Sequence, residues 1–387
     1  MKEFKDNYNA SDIDILDGLD PVRKRPAMYI GSTNVRGLHH LVWEIVDNAV
    51  DEAINGYGNS ITVIIHKDGS VSVQDEGRGI PVDIHENSKK PAVEVLFTVL
   101  HSGGKFNSKA YRTSGGLHGV GASVTNALSV YCDVTIFKNG LINHIRFENG
   151  GKLVVPLEVL GKTKKHGTLV RFKPDPTIFP TVVFNFDTIA GTLQEKAFLL
   201  KGVHFLLKDE RTGIEKEFFY ERGISEYLES LNVNKTPLSD VIYFESTIDE
   251  FNIEVAFQYC LNDYNESIYS YANNIRTPDG GTHETGFKTA ITKAVNDYAE
   301  EHNLLRSKTK LEGSDVREGL TAIISVQVPE KYLEYEGQTK TKLGTPAIYN
   351  VISNFVYNQM SYYLTENKEF AVNLVKKCVD AQNARNA

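Results

Sequence analysis

Between Gly37 and Ile54 apolar residues recur every three or four positions, and that spacing predicts a helix. A two-residue alternation over Ser60–Val73, broken by Lys67-Asp68-Gly69, predicts two strands joined by a tight turn. Glycines punctuate the chain from Gly77 to Gly121, with one helix-like stretch at Ala92–His101. Strand patterns follow at Val130–Phe137, Leu141–Glu148 and Thr168–Lys173, then a helical pattern at Phe186–Leu200. Beyond Gly223 the pattern restarts. Strands are expected near Val241–Phe244, Phe251–Tyr259 and Ser267–Asn274, a helix over Thr285–His302, a strand over Gly319–Val328 and one long helix over Pro346–Lys376. The polar first 20 residues read as an arm, 21–222 as one domain and 223–387 as a second. Strands and helices in this order give an α+β fold class, with an α+β or α/β second domain.

Composition supports two packed domains: 387 residues, of which 41% are hydrophobic. A net charge of −8 argues against a surface that is wholly a nucleic-acid clamp. It leaves room for a local patch such as Lys162, Lys164, Lys165, Lys308 and Lys310, which reads equally as solvated surface. Cys132, Cys260 and Cys378 lie far apart with no CxxC, against a disulfide scaffold or a zinc site. No apolar run reaches the roughly 18 residues of a membrane span, and the acidic N-terminus lacks a secretory core. A cytoplasmic protein with no membrane partner is expected.

Chemistry enters with the first helix. At 100° per residue, Glu44, Asp47, Asn48, Asp51 and Glu52 share one side, opposite Val42, Trp43, Ile45, Val46, Ala49, Val50, Ala53 and Ile54. A solvated face is the plain reading. Yet this face has four carboxylates and no Lys or Arg, whereas like charges one turn apart are mildly destabilising. One turn separates Glu44 from Asn48. A carboxylate there can take a proton from water, and an amide oxygen can ligate a hard cation.

Two glycine segments follow. Ser70–Pro81 reads as a strand ending at Asp75 in Gly77-Arg78-Gly79, where a carboxylate could accept from an exocyclic amine such as that of adenine. A capped hairpin turn is the alternative. Thr113–Ser123 carries four glycines in seven residues before a helical stretch, a pattern suited to an anion site and also to a mobile loop. No GxxxxGK[ST] occurs, and Gly116, Gly119 and Gly121 give GxxGxG rather than GxGxxG. Phosphate binding would therefore use neither of those folds. Gly167-Thr168 at a strand start is weak alone.

In this order the four pieces resemble the GHKL ATPases: gyrase-type topoisomerases, heat-shock chaperones, histidine kinases and MutL mismatch-repair proteins. Asp20–Gly31, the run from His39 to Ile54, and Glu336–Gly344 with its Gln338-Thr339-Lys340 narrow the resemblance to the B subunits of bacterial type IIA topoisomerases, gyrase and topoisomerase IV. It covers about Tyr8 to Lys377. Thr277–Gly286 and Phe147–Gly151 look nearer to topoisomerase IV, with the equivalent gyrase B fragment as the alternative. The Arg23-Lys24-Arg25-Pro26 segment and the Gln338-Thr339-Lys340 loop count against a MutL-type ATPase.

The resemblance implies a Bergerat-type ATP-binding sandwich of a mixed sheet and helices. It also implies a transducer domain with a left-handed crossover (ribosomal protein S5-like). ATP and Mg²⁺ are the implied cofactors. Glu44 would be the general base, Asn48 the Mg²⁺ ligand and Asp75 the adenine partner, helped by Thr168. Glu52 and Arg78 would pair beside the adenine, with Gly79, Ile80 and Pro81 at the pocket wall. Gly103, Gly104, Lys105, Tyr111 and the run Gly116, Leu117, His118, Gly119, Val120 and Gly121 would form a lid. Gln338 and Lys340 would contact the γ-phosphate, and an arm with Tyr8 and Ile13 would embrace a second protomer on ATP binding. The implied partners are that homodimer mate, the A-type partner protein of topoisomerase IV and double-stranded DNA. The cleavage module of such B subunits is expected outside this chain, so DNA cutting is not expected of it. Two positions depart from the family pattern: Ala27, where Gly is usual, and His144, near a basic position at the pocket rim. Two readings from other classes stand beside this one: a non-catalytic nucleotide-binding or dimerisation module, and a DNA-binding scaffold.

Overall fold

The structure is a computed structural model that describes residues 9–13, 15–100, 121–306, 309–337 and 340–387. Its contacts gather into two units. The first holds the described residues within 1–105, 118–190 and 206–217, and the second those within 191–205 and 218–387.

In chain order the elements begin with α1 (Asp20–Lys24), α2 (Ala27–Ile30), α3 (Val35–Ile54), β1 (Ser60–Ile65), β2 (Val71–Asp75), α4 (Ala92–Thr98) and α5 (Gly121–Ala127). Then come β3 (Ser129–Lys138), β4 (Leu141–Glu148), β5 (Lys152–Lys162), β6 (Gly167–Pro174), α6 (Phe186–Leu199), β7 (His204–Asp209) and β8 (Ile214–Phe218). These eight strands form one sheet in the order β5-β4-β3-β6-β2-β1-β7-β8. The run from β5 to β1 pairs antiparallel throughout.

α3 starts where the Asn34 side chain accepts from the N–H groups of Arg36 at 3.0 Å and Gly37 at 3.5 Å, satisfying two orphan donors. A Cβ on Gly37 would meet the Ser32 carbonyl oxygen at 1.8 Å, so only glycine lets the chain enter the helix this way. The apolar stripe of α3 packs on β1, β2 and α5. β1 alternates buried and half-buried positions, and the turn to β2 is held by Ser70 N–H on Asp68 Oδ1 at 2.9 Å.

The later elements are α7 (Ile224–Leu231), β9 (Thr236–Pro237), β10 (Ile242–Ile248), β11 (Phe251–Leu261), β12 (Ser267–Ala272), β13 (Ile275–Arg276), α8 (Thr282–Glu301), α9 (Gly313–Arg317), β14 (Leu320–Gln327), α10 (Pro346–Glu366) and α11 (Lys368–Asn386). Their sheet runs β10-β11-β14-β12-β13, with β9 beside β11. β12 and β14 are parallel and are joined through β13, α8 and α9. The main core lies between this sheet and α8, α10 and α11.

One expectation is corrected here. The helix expected over 346–376 is two helices, because Asn367 leaves helical geometry at φ −122 and ψ 67 and its Nδ2 caps the Tyr363 carbonyl. The buried row Ile348, Ile352, Val356, Met360, Leu364 ends there, and a new row begins at Phe370. β5 was not expected at all. Most of it is exposed, so no alternation marks it, and its edge position tolerates Pro156.

Candidate active site

The polar face of α3 is not a solvated one. Glu44, Asp47 and Asn48 are half-buried, while Asp51 and Glu52 are 1% and 9% exposed. Burying so many carboxylates on one helix is costly without partners. Glu44 and Glu52 each have a partner of their own. His40, one turn back, brings Nε2 to 2.7 Å from Glu44 Oε1. The other oxygen, Oε2, lies against the start of α5, where a Cβ on Gly121 would stand 2.3 Å from it. Any side chain at 121 would collide with the carboxylate, so glycine is what lets the start of α5 pack against Glu44. α5 is itself tied to α3 by the Thr125 hydroxyl, which donates to the Leu41 carbonyl at 3.2 Å in the core.

The second carboxylate is Glu52, which receives the Arg78 guanidinium in a two-pronged pair, Nε to Oε2 at 3.1 Å and Nη2 to Oε1 at 2.9 Å. The Arg78 backbone N–H adds a third bond to Oε2 at 3.2 Å. The guanidinium lies over the Tyr57 ring at 4.0 Å.

That pair fixes the turn after β2, and Asp75 sits at its head. Asp75 Oδ1 accepts from the N–H groups of Gly77 at 2.8 Å and Thr168 at 3.2 Å. Oδ2 has no partner among the described residues and is free to accept from a donor such as an exocyclic amine. Burial pushes the Asp75 carboxyl up to about 6, against the two N–H bonds that favour its charged form. The approach of β6 to β2 depends on Gly167: at φ +131, a Cβ would stand 2.1 Å from the Asp75 carbonyl oxygen. Thr168, buried, accepts from the Ile80 N–H at 3.1 Å through Oγ1. Lys138 Nζ donates to the carbonyls of Arg78 and Gly79 at 3.0 and 3.2 Å, and His166 Nδ1 reaches the Gly77 carbonyl at 2.8 Å. Ile80 is half-buried and Pro81 exposed at the end of this turn.

The structure thus brings Glu44, Asn48, Glu52, Asp75, Arg78, Gly79, Ile80, Gly121 and Thr168 together in the first unit. Lys340 belongs to the second unit and is half-buried there. Tyr8, Gly103, Gly104, Lys105, Tyr111, Gly116, Leu117, His118, Gly119, Val120 and Gln338 lie outside the described residues. His40, Tyr57, Lys138 and His166 were not singled out from the sequence. The i,i+4 spacing of His40 and Glu44 is a readable signal; Lys138 and His166 act from other strands and Tyr57 from the turn after α3, and none of these has a local mark.

Among the described residues no three His, Cys, Asp or Glu side chains gather as a metal cage. The amide oxygen of Asn48 suits an ion that takes most of its ligands from phosphate and water, as Mg²⁺ does.

Residues 33–178 match the family of histidine kinase-, DNA gyrase B- and HSP90-like ATPases, and residues 223–387 match the DNA gyrase B family. The chain is 55% identical over 383 residues to the B subunit of DNA topoisomerase 4 from Bacillus subtilis, covering 98% of this chain. It is 54% identical over 388 residues to that of Staphylococcus aureus, covering 99%. It spans only 58% of the length of either relative. Among solved structures it resembles the 43K ATPase domain of Thermus thermophilus gyrase B, determined with an aminocoumarin, at TM-score 0.82 and 40% identity over 95% of both chains. It also resembles the topoisomerase IV ATP-binding domain of Francisella tularensis, determined with a small-molecule inhibitor, at TM-score 0.82 and 32% identity, over 96% of this chain and 99% of that one.

Proposed function

The chain belongs to the family of DNA gyrase and topoisomerase IV B subunits, in the region that carries their ATPase, and from that premise we propose that it is an ATP-operated dimer gate with Glu44 as its general base. The observation that carries this reading is the Glu44 carboxylate: one oxygen held by His40, the other beside the Cβ-less start of α5. A water held by Oε2 gives it a proton as it attacks the γ-phosphorus, and ADP and phosphate leave. Asp75 Oδ2 takes the adenine amino group, and Arg78, held by Glu52, stiffens the turn beside the base. Asn48 would hold Mg²⁺ through its amide oxygen; when bound, that ion supplies charge neutralisation for the phosphates. Gln338 and Lys340 are assigned to the γ-phosphate, and Gly103–Lys105, Tyr111 and Gly116–Gly121 to a lid over it.

In the longer protein, ATP binding would close and hydrolysis release a gate around transported double-stranded DNA, with the B subunit's cleavage module and the A-type partner protein together supplying cleavage. Relatives at 54–55% identity that carry the topoisomerase 4 name favour that enzyme over gyrase, whose Thermus ATPase domain stands at 40%. No described helix is long and apolar enough to cross a membrane. Sedimentation velocity with and without a non-hydrolysable ATP analogue and Mg²⁺ tests the gate. A monomer that becomes a dimer only with nucleotide supports it. Nucleotide binding without dimerisation would contradict the gate, and no binding would contradict the whole reading.

A further inference from the structure

The segment Thr277–Gly286 entered as a marker of kinship, yet in the second unit it does mechanical work on the loop that carries Lys340. That loop is a hairpin. Tyr335 and Leu343 pair antiparallel, the Glu336 N–H donates to the Lys342 carbonyl at 2.9 Å, and the Gly344 N–H donates to the Glu334 carbonyl at 2.8 Å. The returning arm of the hairpin is also bonded on its other side. The Asp279 N–H donates to the Thr341 carbonyl at 2.9 Å, the Leu343 N–H to the Gly280 carbonyl at 3.0 Å, and the Thr282 N–H to the Leu343 carbonyl at 3.0 Å. The Thr282 hydroxyl adds a bond to the Thr345 carbonyl at 2.8 Å. A short three-stranded main-chain lattice results, with Thr341 one residue from Lys340.

The lattice demands glycine. Gly281 sits at φ +139, and a Cβ there would stand 2.3 Å from the Leu343 carbonyl oxygen and 2.6 Å from its nitrogen. Its base is rigid. The Thr277 hydroxyl donates to the Ser270 carbonyl at 2.9 Å and accepts from His283 Nε2 at 2.9 Å. Burial holds the His283 imidazole down at about 3, so this bond is between neutral groups at any working pH. The Ser270 hydroxyl reaches Glu284 Oε2 at 2.9 Å. Leu343 and Thr345 are buried, at 0% and 2% exposed, so the hairpin's root is packed as well as bonded.

We propose that Gly280, Gly281 and Thr282 are positioning residues for Lys340: they fix the root of its hairpin and so set where its ammonium group is presented. The proposal rests on the assignment of Lys340 to the γ-phosphate. The root could have been held by side chains alone. Holding it by main-chain bonds to an adjacent turn leaves little play, and misplacement by about 1 Å can cost about a hundredfold in rate.

The experiment is steady-state ATPase kinetics on the full chain for Gly281→Ala, Lys340→Ala and the double variant, with thermal melts of each. Gly281→Ala is expected to lower kcat by about tenfold or more with KM for ATP within about twofold, because the adenine pocket is built in the other unit. The double variant is expected to be no slower than Lys340→Ala, since both changes remove one interaction. A slow Lys340→Ala beside a normal Gly281→Ala, or additive losses in the double variant, would overturn the positioning role alone. A Lys340→Ala variant with unchanged kcat would overturn the γ-phosphate assignment and the positioning role with it. Thr282→Val deletes only the bond to Thr345 and serves if Gly281→Ala does not fold. It should lower kcat about threefold at unchanged KM, in line with the loss of one neutral hydrogen bond, and an unchanged kcat counts against the proposal.

Discussion

His40 Nε2 stands 2.7 Å from Glu44 Oε1, one helical turn back along α3, and so holds one oxygen of the proposed base while leaving the other beside Gly121. Misplacing a reacting group by about 1 Å can cost about a hundredfold in rate. His40→Ala should therefore lower kcat roughly 10- to 100-fold through a misplaced carboxylate, with KM for ATP near its original value. The pair is about a third exposed on each side, so the melting temperature should barely move. A variant with normal kcat would remove His40 from the catalytic arrangement.

Asp75 gives a pH-dependent prediction. Its folded-state pKa is raised to about 6, above the ordinary 3.8, chiefly by burial. The neutral acid is the form the fold prefers. Stability from this group is fully present below pH 3.8 and is lost as pH rises through about 6. Asp75→Asn keeps an acceptor for the Gly77 and Thr168 N–H groups and removes the charge. It should stabilise the free protein at pH 7 by up to about 2–3 kcal/mol while abolishing ATP binding, because an amide NH₂ would face the adenine amino group. Wild-type ATP affinity should fall as the pH drops below about 6, where Oδ2 becomes protonated. Chemical denaturation at pH 7 checks the stability half and titration calorimetry with ATP across pH 5–8 the binding half; a destabilised Asp75→Asn would contradict the burial account.

Arg78 and Glu52 test whether the turn after β2 is held by geometry or by charge alone. Arg78→Lys keeps the charge and loses the two-pronged contact and the stacking on Tyr57. It should cost about 1–2 kcal/mol and weaken ATP several-fold. Arg78→Ala should cost more, since it takes the guanidinium from a carboxylate that is only 9% exposed and leaves it the backbone N–H of residue 78. Chemical denaturation in the absence of nucleotide reads both. Equal stability of all three proteins would show that the pair is ornamental.

Much of this site was legible in the sequence because its chemistry is concentrated in short, periodic pieces. The acidic face of α3 showed itself through helical spacing and Asp75 through the glycines around it, while the roles proposed for them came from the resemblance to the GHKL ATPases. What could not be read was the work done across the sheet. Lys138 and His166 hold the Gly77–Gly79 turn from positions far along the chain, and nothing local marks them. Asp51, 1% exposed, looks like a surface charge in sequence because periodicity gives direction but not depth. In the second unit, α10 and α11 read as one helix because no glycine or proline separates them, and the break is a single non-helical residue, Asn367. The exposed edge strand β5 lacks the one-sided burial that makes a strand visible.

The most direct test of the account is Glu44→Gln, assayed for ATP binding by calorimetry and for phosphate release at saturating ATP. Gln keeps the shape and the neighbours of Glu44 but cannot take a proton, so binding should stay within about threefold while turnover falls by about 10²–10⁴. Near-normal phosphate release from this variant would show that Glu44 is not the base, and the proposed mechanism would be wrong at its centre.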